Sequence, residues 1–592
     1  MKPSVPPTGF RRGPLPSAAP AGAQGRFPAP AALFIALCLA AHLAMNAAFI
    51  RGAAATYDEA VHLASGWSYL ATGRYRLNIM DHPPLAEMWA ALPLWRWQPN
   101  LFLNHPDWLD RRVYHYSDGF FYHNKVSGPR MLNAARFFCL LSWTFLLGWA
   151  LLAWAGRPAG PAGMCGAAFA AAFMPVLGTN LSLATTDGAA AVFYFLTFYI
   201  LSRERRSWRT WIGAGLCIGA ALGSKFNMVL LPLFVAVLLV VEHFLRPSSQ
   251  RTPFPWTGAL VAGACACTAL AAVYRFDQAG LWRDGLSSTL SRLQEGRGAF
   301  LHGRYSVTGF RLYFPTAFLI KTPIALLLLG FAGLFMTARA RELRALWVLG
   351  PLFGYALAAM GSKTQIGIRH LLPIIPFFIL LCARAWAALW ERRGWGRALL
   401  GVLAAWTLVS VLRVQPYGLA YFNESMGGPD KGWQWLVDSN LDWGQDLQTL
   451  GKELEQLGNP PIYLSYFGCA DPAAYGIRYV PMAFVSNVDR PGDAVNPAAS
   501  GRMILSVSAT NLQCVYFADK TLFDWLKKRE PLKVLGHSIF LYDLTGDGEG
   551  LKSLAAIAGR SGRPDAEKVL LYESALIGRQ SAARVVREGP KR

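Results

Sequence analysis

The sequence predicts an α-helical protein that crosses a membrane about eleven times and carries a C-terminal α/β domain. Three observations support this fold class. Of the 592 residues, 53% are hydrophobic and only 16% are charged, and the hydrophobic residues are gathered into long blocks. Short arginine-rich segments separate these blocks. Strand-like runs are found only in the last third of the chain, which is more polar.

Each predicted span has the length that a bilayer requires, about 17 to 25 mostly apolar residues. The spans lie near residues 31–50, 134–154, 161–178, 183–201, 211–224, 226–244, 257–274, 314–337, 345–361, 371–390 and 398–413. The first span is predicted to be an uncleaved anchor. Residues 1–28 before it are polar and rich in proline, which predicts a disordered cytoplasmic tail.

The orientation follows from the basic clusters between the spans. With the N-terminus inside, every second connection is cytoplasmic, and the arginine clusters alternate as the positive-inside rule requires. These clusters are Arg157, 203–209, 246–251, 339–344 and 391–397. The same orientation places the C-terminal domain in the periplasm of a bacterial inner membrane. The formal net charge of +22 therefore reflects contact with the bilayer and does not predict nucleic-acid binding.

Three segments are predicted to face the periplasm with enough length to carry chemistry. Two of them are loops within the transmembrane domain 29–413, at residues 51–132 and 275–312. The third is the part after about residue 414. Any active site is therefore expected to be built from these segments and from the adjoining helix ends.

The C-terminal part predicts a periplasmic α/β domain at 414–546, followed by a basic polar tail at 547–592. Its strand-like runs are P-I-Y-L-S-Y-F, R-M-I-L-S-V-S and S-I-F-L-Y-D-L, and leucines at 447, 450, 454 and 457 share one face of a helix before them. Cys469 and Cys514 form a disulfide if their α-carbons are within reach, and otherwise remain free thiols.

Two motifs in the first loop hold acidic residues close to the membrane. Asp58 and Glu59 follow the first span directly, where a carboxylate either caps the next helix or takes part in function. Asp81 and His82 begin D-H-P-P-L, in which two prolines impose a rigid turn. Either motif alone is a common structural feature, and the combination is more specific.

Further charged residues lie where the predicted spans meet the periplasm. Asp187 is at the start of the fourth span, where it either caps the helix or contacts a substrate. Lys225, Lys363 and Arg369 are cations on the outer side, against the positive-inside preference. Binding of a phosphate explains them, and so does snorkelling of their side chains to the interface.

Together these motifs resemble glycosyltransferase family 39 and its bacterial relatives. The resemblance rests on the D-E pair, the H-P-P-L turn, the T-D-G helix start, and the S-K and G-I-R-H-L-L-P segments, and it covers roughly residues 30–390. The family has the GT-C fold, which is shared by protein O-mannosyltransferases and the enzyme that adds aminoarabinose to lipid A. The later segments Y-F-N-E-S-M-G-G-P and 438–447 resemble only uncharacterised bacterial members.

The resemblance implies an inverting glycosyltransferase that moves a sugar from a polyprenyl phosphate to an acceptor hydroxyl on a glycan, lipid or protein. It implies catalytic carboxylates at Asp58, the base, and Glu59, which orients the site. Substrate and phosphate contacts are implied for the remaining motif residues, namely Lys225, Lys363, Arg369, His82, Asp81 and Asp187. No cofactor is required, because cations can stabilise the leaving phosphate electrostatically.

Two other kinds of site and function are open from the residues. A divalent metal held by His82 and Glu87 is an alternative, although zinc sites need more ligands than these. A transporter or flippase of lipid-linked sugars would place charges at mid-span, where only Lys321 is found. A non-catalytic cell-envelope assembly protein would tolerate replacement of the D-E pair.

Overall fold

The structure is a computed structural model that describes residues 28–588, so residues 1–27 of the predicted tail lie outside the described part. Most of the chain up to residue 412 is helical. Its elements are α1 (Ala29–Gly52), α2 (Glu59–Thr72), α3 (Pro84–Ala91), α4 (Pro106–Leu109), α5 (Val113–Tyr122), α6 (Gly128–Ala172), α7 (Pro175–Ser182), α8 (Thr186–Leu201), α9 (Trp208–Leu222), α10 (Leu230–Leu245), α11 (Trp256–Val273), α12 (Gly280–Glu295), the hairpin β1 (Ala299–Leu301) and β2 (Arg304–Ser306), α13 (Tyr313–Lys321), α14 (Ile324–Ala340), α15 (Leu346–Met360), α16 (Ile375–Glu391) and α17 (Trp395–Leu412).

Within residues 28–588, seven helices are long and apolar enough to cross a membrane. The number rises to nine if α7 with α8, and α13 with α14, each form one span bent by 116°. The larger predicted number counted α6 as two spans, because Gly160 breaks its 45 residues between Pro158 and Pro161. It also counted α9, which has only 15 residues. The predicted multi-span helical fold is confirmed.

One end of the helix bundle carries all the larger connections, and we call it the domain face. It consists of the first loop (residues 53–127), the segment 274–312 with α12 and the β1–β2 hairpin, and the C-terminal domain. α8 begins at this face and α16 follows a short 3-10 helix there, Ile368–Ile374. The domain face therefore gathers the segments in which the sequence predicts chemistry.

The C-terminal domain is a mixed five-stranded sheet with helices of 4 to 25 residues. Its elements are α18 (Pro429–Gly432), α19 (Leu447–Gln456), β3 (Ile462–Ser465), β4 (Tyr479–Pro481), β5 (Ile504–Ser508), α20 (Ala509–Leu512), α21 (Asp524–Lys527), β6 (Lys533–Leu535), β7 (Ile539–Asp543), α22 (Gly548–Arg560) and α23 (Pro564–Glu588). The strand order is β4-β3-β5-β7-β6, with β3 parallel to β4 and β5, and β7 antiparallel to β5 and β6. The predicted C-terminal sheet domain is confirmed.

Two features of this domain differ from the sequence-based expectation. The segment after residue 547 folds as the helical hairpin α22–α23, whose apolar side chains Leu551, Leu554 and Leu570 are buried, where the sequence predicted a polar tail. Cys469 and Cys514, both within the described residues, are buried free thiols, so the disulfide alternative is wrong for this structure. Their sulfurs approach different partners, the Ser486 hydroxyl and the Leu512 carbonyl.

The sheet is attached to the membrane bundle through the segment 438–446, which we call the acidic strap. The Tyr57 N–H donates to the Trp443 carbonyl at 2.9 Å, and the Ala54 N–H donates to the Gln445 carbonyl at 2.7 Å. At the carboxyl end of β5, the Thr510 N–H donates to the Asp442 carboxylate at 2.8 Å. The strap therefore fixes the sheet directly above the residues that precede α2.

Two carboxyl groups of the acidic strap predict an unusual pH dependence of stability. Burial raises the pKa of Asp442 and of Asp446 from the ordinary 3.8 to about 7. Between these values the two carboxyl groups bind more protons in the folded protein than in the unfolded chain, so their contribution to stability is largest at low pH and falls as the pH rises to about 7. Thermal unfolding of the purified protein at about pH 5.5 and 7.5 should show the higher midpoint at the lower pH. In an Asp442→Asn/Asp446→Asn variant this difference should shrink, and an undiminished difference would contradict the assignment.

Candidate active site

Asp58 is the residue immediately before α2, and its side chain is 26% exposed. Among the described residues, its carboxylate makes no hydrogen bond that caps α2. Its Oδ2 atom instead lies 3.7 Å from Nη2 of Arg369. Helix capping therefore does not hold the Asp58 side chain in place. Its carboxylate is directed toward a cation on another element.

Asp187 at the start of α8 holds two cations beside Asp58. Its Oδ1 atom accepts a short hydrogen bond from Lys225, and its Oδ2 atom lies 3.3 Å from Nη1 of Arg369. Asp187 is buried at 3% exposure, and the Lys225 and Arg369 side chains are only 12% and 10% exposed. Four charged groups that are distant in sequence therefore form one cluster, which we call the charge cluster: Asp58, Asp187, Lys225 and Arg369.

The acidic strap positions Arg369 within the charge cluster. Nε of Arg369 donates to the Ser439 hydroxyl at 3.1 Å, and the guanidinium lies over the Trp443 ring at 4.0 Å. Ser439 approaches so closely because Gly367 has no side chain, and a Cβ atom there would collide with the Ser439 hydroxyl. The sequence analysis did not foresee these contacts, although it singled out the segment 438–447.

Glu59, next to Asp58, has a different environment and is completely buried. Both its oxygens accept hydrogen bonds from Arg136 of α6, at 2.9 and 2.5 Å. The Thr56 N–H and hydroxyl, and the Ala184 N–H, donate to the same carboxylate at 3.0 Å each. Burial alone would raise the pKa of Glu59, but Arg136 holds this pKa below its usual value. Glu59 therefore ties the start of α2 to α6 and α8, and we assign it a positioning role.

His82 lies next to the charge cluster, half-buried, with its ring centroid 5.0 Å from that of His62. Burial, His62 and Lys225 together hold the pKa of His82 well below its usual value, so its imidazole is neutral at pH 7. His62 donates through Nδ1 to Glu87 at 2.8 Å. No group of three His, Cys, Asp or Glu side chains among residues 28–588 has an arrangement that could hold a metal ion.

Asp81 and Lys363 lie apart from the charge cluster. Asp81 forms an ion pair with Arg292 of α12 and is 38% exposed. Lys363 is exposed, and its ammonium donates to the Gln294 carbonyl at 3.0 Å, also at the end of α12. Both residues therefore secure α12 against neighbouring loops, and neither reaches the Asp58 carboxylate in this structure.

Arg297 is a third cation near Asp58 that the sequence analysis missed. Partial desolvation works to lower its pKa, but Tyr516, Asp438 and Asp58 together raise the pKa of Arg297 above its usual value. Its guanidinium lies over the Tyr516 ring at 5.6 Å, and the Tyr516 hydroxyl donates a short hydrogen bond to Asp438. A basic residue in a loop predicted to face outward was the available signal. Arg297 brings the second loop and the C-terminal domain together at the site.

Trp443 offers a test of how Arg369 is held. For the sugar transfer that the family resemblance predicts, Trp443→Leu should remove the cation–π contact and raise the KM for the donor roughly fivefold, which corresponds to about 1 kcal/mol. Trp443→Phe keeps an aromatic face and should leave KM within about twofold of wild type. Donor-dependent transfer kinetics at saturating acceptor provide the measurement. Equal KM values in both variants would show that the ring does not position Arg369.

A segment of the chain that contains several of these site residues matches a known protein family. Residues 124–271 match the family model of dolichyl-phosphate-mannose-protein mannosyltransferases. This match confirms the resemblance to GT-C glycosyltransferases. It includes Arg136, Asp187 and Lys225, and it ends before Arg369. Over this segment the chain is therefore similar to a family of glycosyltransferases. No curated protein matches the chain in sequence.

Two solved structures are similar in overall arrangement. The chain is 13% identical to ArnT from Cupriavidus metallidurans bound to undecaprenyl phosphate, with a TM-score of 0.47, covering 86% of this chain and 97% of that one. It is also 13% identical to the oligosaccharyltransferase AglB from Archaeoglobus fulgidus, in complex with an inhibitory peptide and a dolichol phosphate. That similarity has a TM-score of 0.40 and covers 64% of this chain and 54% of the other.

Proposed function

We propose that the protein transfers a sugar, with inversion, from a polyprenyl-phosphate donor to an acceptor hydroxyl. The observation that carries the proposal is the position of Asp58: an uncapped, partly exposed carboxylate 3.7 Å from a guanidinium that is itself held by Asp187 and the acidic strap. A base beside two largely buried cations, Lys225 and Arg369, suits a reaction in which one group loses a proton while another gains negative charge.

In the proposed reaction, Asp58 accepts the proton of the acceptor hydroxyl. The acceptor oxygen forms a bond to the anomeric carbon of the sugar while the bond from that carbon to the phosphate oxygen breaks. The electron pair leaves with the phosphate, whose charge changes from about −1 in the diester to about −2 in the monoester. No general acid is needed, because Lys225 and Arg369 stabilise the leaving phosphate where a glycosidase would use a second carboxyl group.

The pairing of Asp58 with Arg369 couples these two changes. While Asp58 is ionised, it attracts the Arg369 guanidinium and reduces the positive field acting on the phosphate. Once Asp58 is protonated, that attraction is lost and Arg369 becomes available to the phosphate in the same step. Interactions that strengthen only as the reaction proceeds raise kcat, which is what catalysis requires.

The acceptor is proposed to approach from the side of Arg297 and the C-terminal domain. Tyr114 of α5 and Arg297 both interact electrostatically with Asp58, and the Arg297 guanidinium lies over the ring of Tyr516 in the C-terminal domain. Acceptor recognition is therefore assigned to the second loop and the sheet domain. We likewise propose that the domain face is the periplasmic side of a bacterial inner membrane, as the alternation of the basic clusters predicts.

Lys321, the charged residue that would favour a transporter, is anchored to the strap region instead. Its ammonium donates to the Leu419 carbonyl at 2.8 Å and to the Asn440 carbonyl at 2.5 Å, and it is 1% exposed. A group bound in this way ties α13 to the C-terminal segment. Its contacts are those of an anchor and give the transport alternative no support.

Lys225 and Lys363 provide a matched pair of variants for testing the proposal. Both lysines were predicted to bind phosphate, but only Lys225 lies in the charge cluster. With radiolabelled polyprenyl-phosphate sugars and a membrane extract, Lys225→Met should lower transfer roughly 100-fold, and Lys363→Met should leave it within about threefold of wild type. Equal losses in both variants, or none in either, would contradict the assignment of the charge cluster to the donor phosphate.

A further inference from the structure

A polar cavity lies at the end of the helix bundle opposite the domain face. It has a volume of about 460 Å³. Its lining includes four arginines and two glutamates, namely Arg157, Arg203, Arg344, Arg384, Glu204 and Glu342. None of these residues belongs to the charge cluster around Asp58. The cavity is therefore separate from the proposed active site.

The position of this cavity follows from the helices that connect it to the site. α8 begins next to Asp187 and ends at Leu201, just before Arg203, and its 16 residues span about 24 Å. Arg384 likewise lies in α16, beyond the 3-10 helix that contains Arg369. The cavity also joins residues from three of the five basic clusters that the sequence assigns to one side. It therefore opens at the other membrane boundary.

The charge of the lining is suited to an anion. Arg344 pairs with Glu204 at 2.5 Å, and Arg384 pairs with Glu342 at 3.3 Å. Four guanidinium groups against two carboxylates leave an excess of two positive charges. Arg157 contributes to this excess from the Gly160 break in α6, where Nη1 donates to the Ser202 hydroxyl at 3.0 Å and the guanidinium lies over Tyr199 at 4.6 Å.

Most of the remaining lining is apolar and comes from helices of the bundle. Trp154 of α6, Val348 of α15, and Leu380 and Leu381 of α16 form this part. A cavity lined by both guanidinium groups and apolar side chains is suited to a phosphate that is joined to acyl chains. Basic pockets between membrane helices recognise lipid headgroups in this way.

We propose that this cavity binds the phosphate of an anionic phospholipid headgroup, and that Arg157 and Arg203 neutralise the charge of this phosphate. A bidentate guanidinium is suited to a phosphate, and the two glutamates keep Arg344 and Arg384 in place around it. Free phosphate offers the same chemistry without the acyl chains. The apolar wall favours the lipid.

The test uses the full-length protein, stripped of lipid in detergent and titrated with phosphatidylglycerol while native mass spectrometry counts the bound molecules. Arg157→Gln/Arg203→Gln should weaken the tightest binding event roughly 25-fold, since each arginine near an anionic lipid contributes about fivefold. The control is Arg209→Gln, which changes an exposed arginine of the same basic segment outside the cavity. It should bind as wild type does.

Separate titrations identify the source of the phosphate. Phosphatidylcholine should bind much more weakly than phosphatidylglycerol, and inorganic phosphate at equal concentration should not displace the lipid. Displacement by inorganic phosphate would overturn the lipid assignment, and wild-type affinity in the double variant would overturn the site itself. Thermal midpoints measured on the same samples exclude misfolding, and Arg203→Gln alone serves if the double variant is unstable.

Discussion

Replacement of Asp58 by asparagine is expected to lower the rate of sugar transfer by roughly 10³-fold, within the range that a positioned general base contributes. The amide has nearly the same shape as the carboxylate but cannot accept the proton of the acceptor hydroxyl. Because the Asp58 side chain is partly exposed and does not cap α2, the variant should fold as wild type does. Single-turnover transfer from a labelled donor provides the measurement.

The binding of the product lipid distinguishes loss of chemistry from loss of the site. Asp58→Asn removes a carboxylate that competes with phosphate for Arg369, so polyprenyl phosphate should bind at least as tightly as to wild type. Asp58→Glu, which keeps the acid but moves it, should retain part of the rate. Wild-type turnover in Asp58→Asn would remove Asp58 as the base.

The second large effect concerns stability and is expected at Arg136. Arg136→Met leaves the Glu59 carboxylate buried without its cation, which should lower the free energy of unfolding by roughly 3–5 kcal/mol. The loss is large because the Arg136 side chain is fully buried and also donates to the Ala53 and Ala54 carbonyls at 2.8 Å. Denaturant or thermal unfolding in one detergent provides the measurement.

A double variant separates the positioning role of Glu59 from a catalytic one. Glu59→Gln/Arg136→Met removes both charges, so it should recover part of the stability that Arg136→Met loses. Residual turnover should follow the folded fraction. If Glu59→Gln instead abolished turnover in a protein as stable as wild type, Glu59 would have to act on the substrate directly.

Several charged residues that the sequence places near the membrane surface lie in the candidate site, but the sequence does not show what each of them contacts. Asp58 and Glu59 are adjacent, yet the start of α2 directs one toward Arg369 and the other into the contact with α6. Glu59 is buried because it pairs with Arg136, a residue 77 positions further along the chain. No local pattern contains that information.

The contribution of the acidic strap could not be predicted for a similar reason. Ser439 holds Arg369 across 70 residues of sequence, and Arg297 meets Tyr516 and Asp438 from a different loop. Contacts of this range arise only when the sheet domain packs on the membrane bundle. Lys363 is the opposite case. Its sequence context predicted a phosphate contact, but its ammonium donates to the Gln294 carbonyl at the end of α12, apart from the charge cluster.

Local patterns were sufficient for the longer elements. Three strand-like runs became β3, β5 and β7, and the leucine pattern became α19 with Leu447, Leu450 and Leu454 buried. β4 and β6 were missed because three residues each are too few to show alternation. The predicted number of spans is too large where Gly160 interrupts α6 and where α9, in the region 211–244, has only 15 residues.

A transferase differs from a transporter because it releases the lipid phosphate as the acceptor gains the sugar. In proteoliposomes that contain labelled polyprenyl-phosphate sugar and acceptor, the lipid phosphate released and the label gained by the acceptor are quantified in the same reaction. We expect equal amounts for wild type and neither product for Asp58→Asn. Movement of intact donor across the bilayer without release of lipid phosphate would contradict the account and identify a transporter.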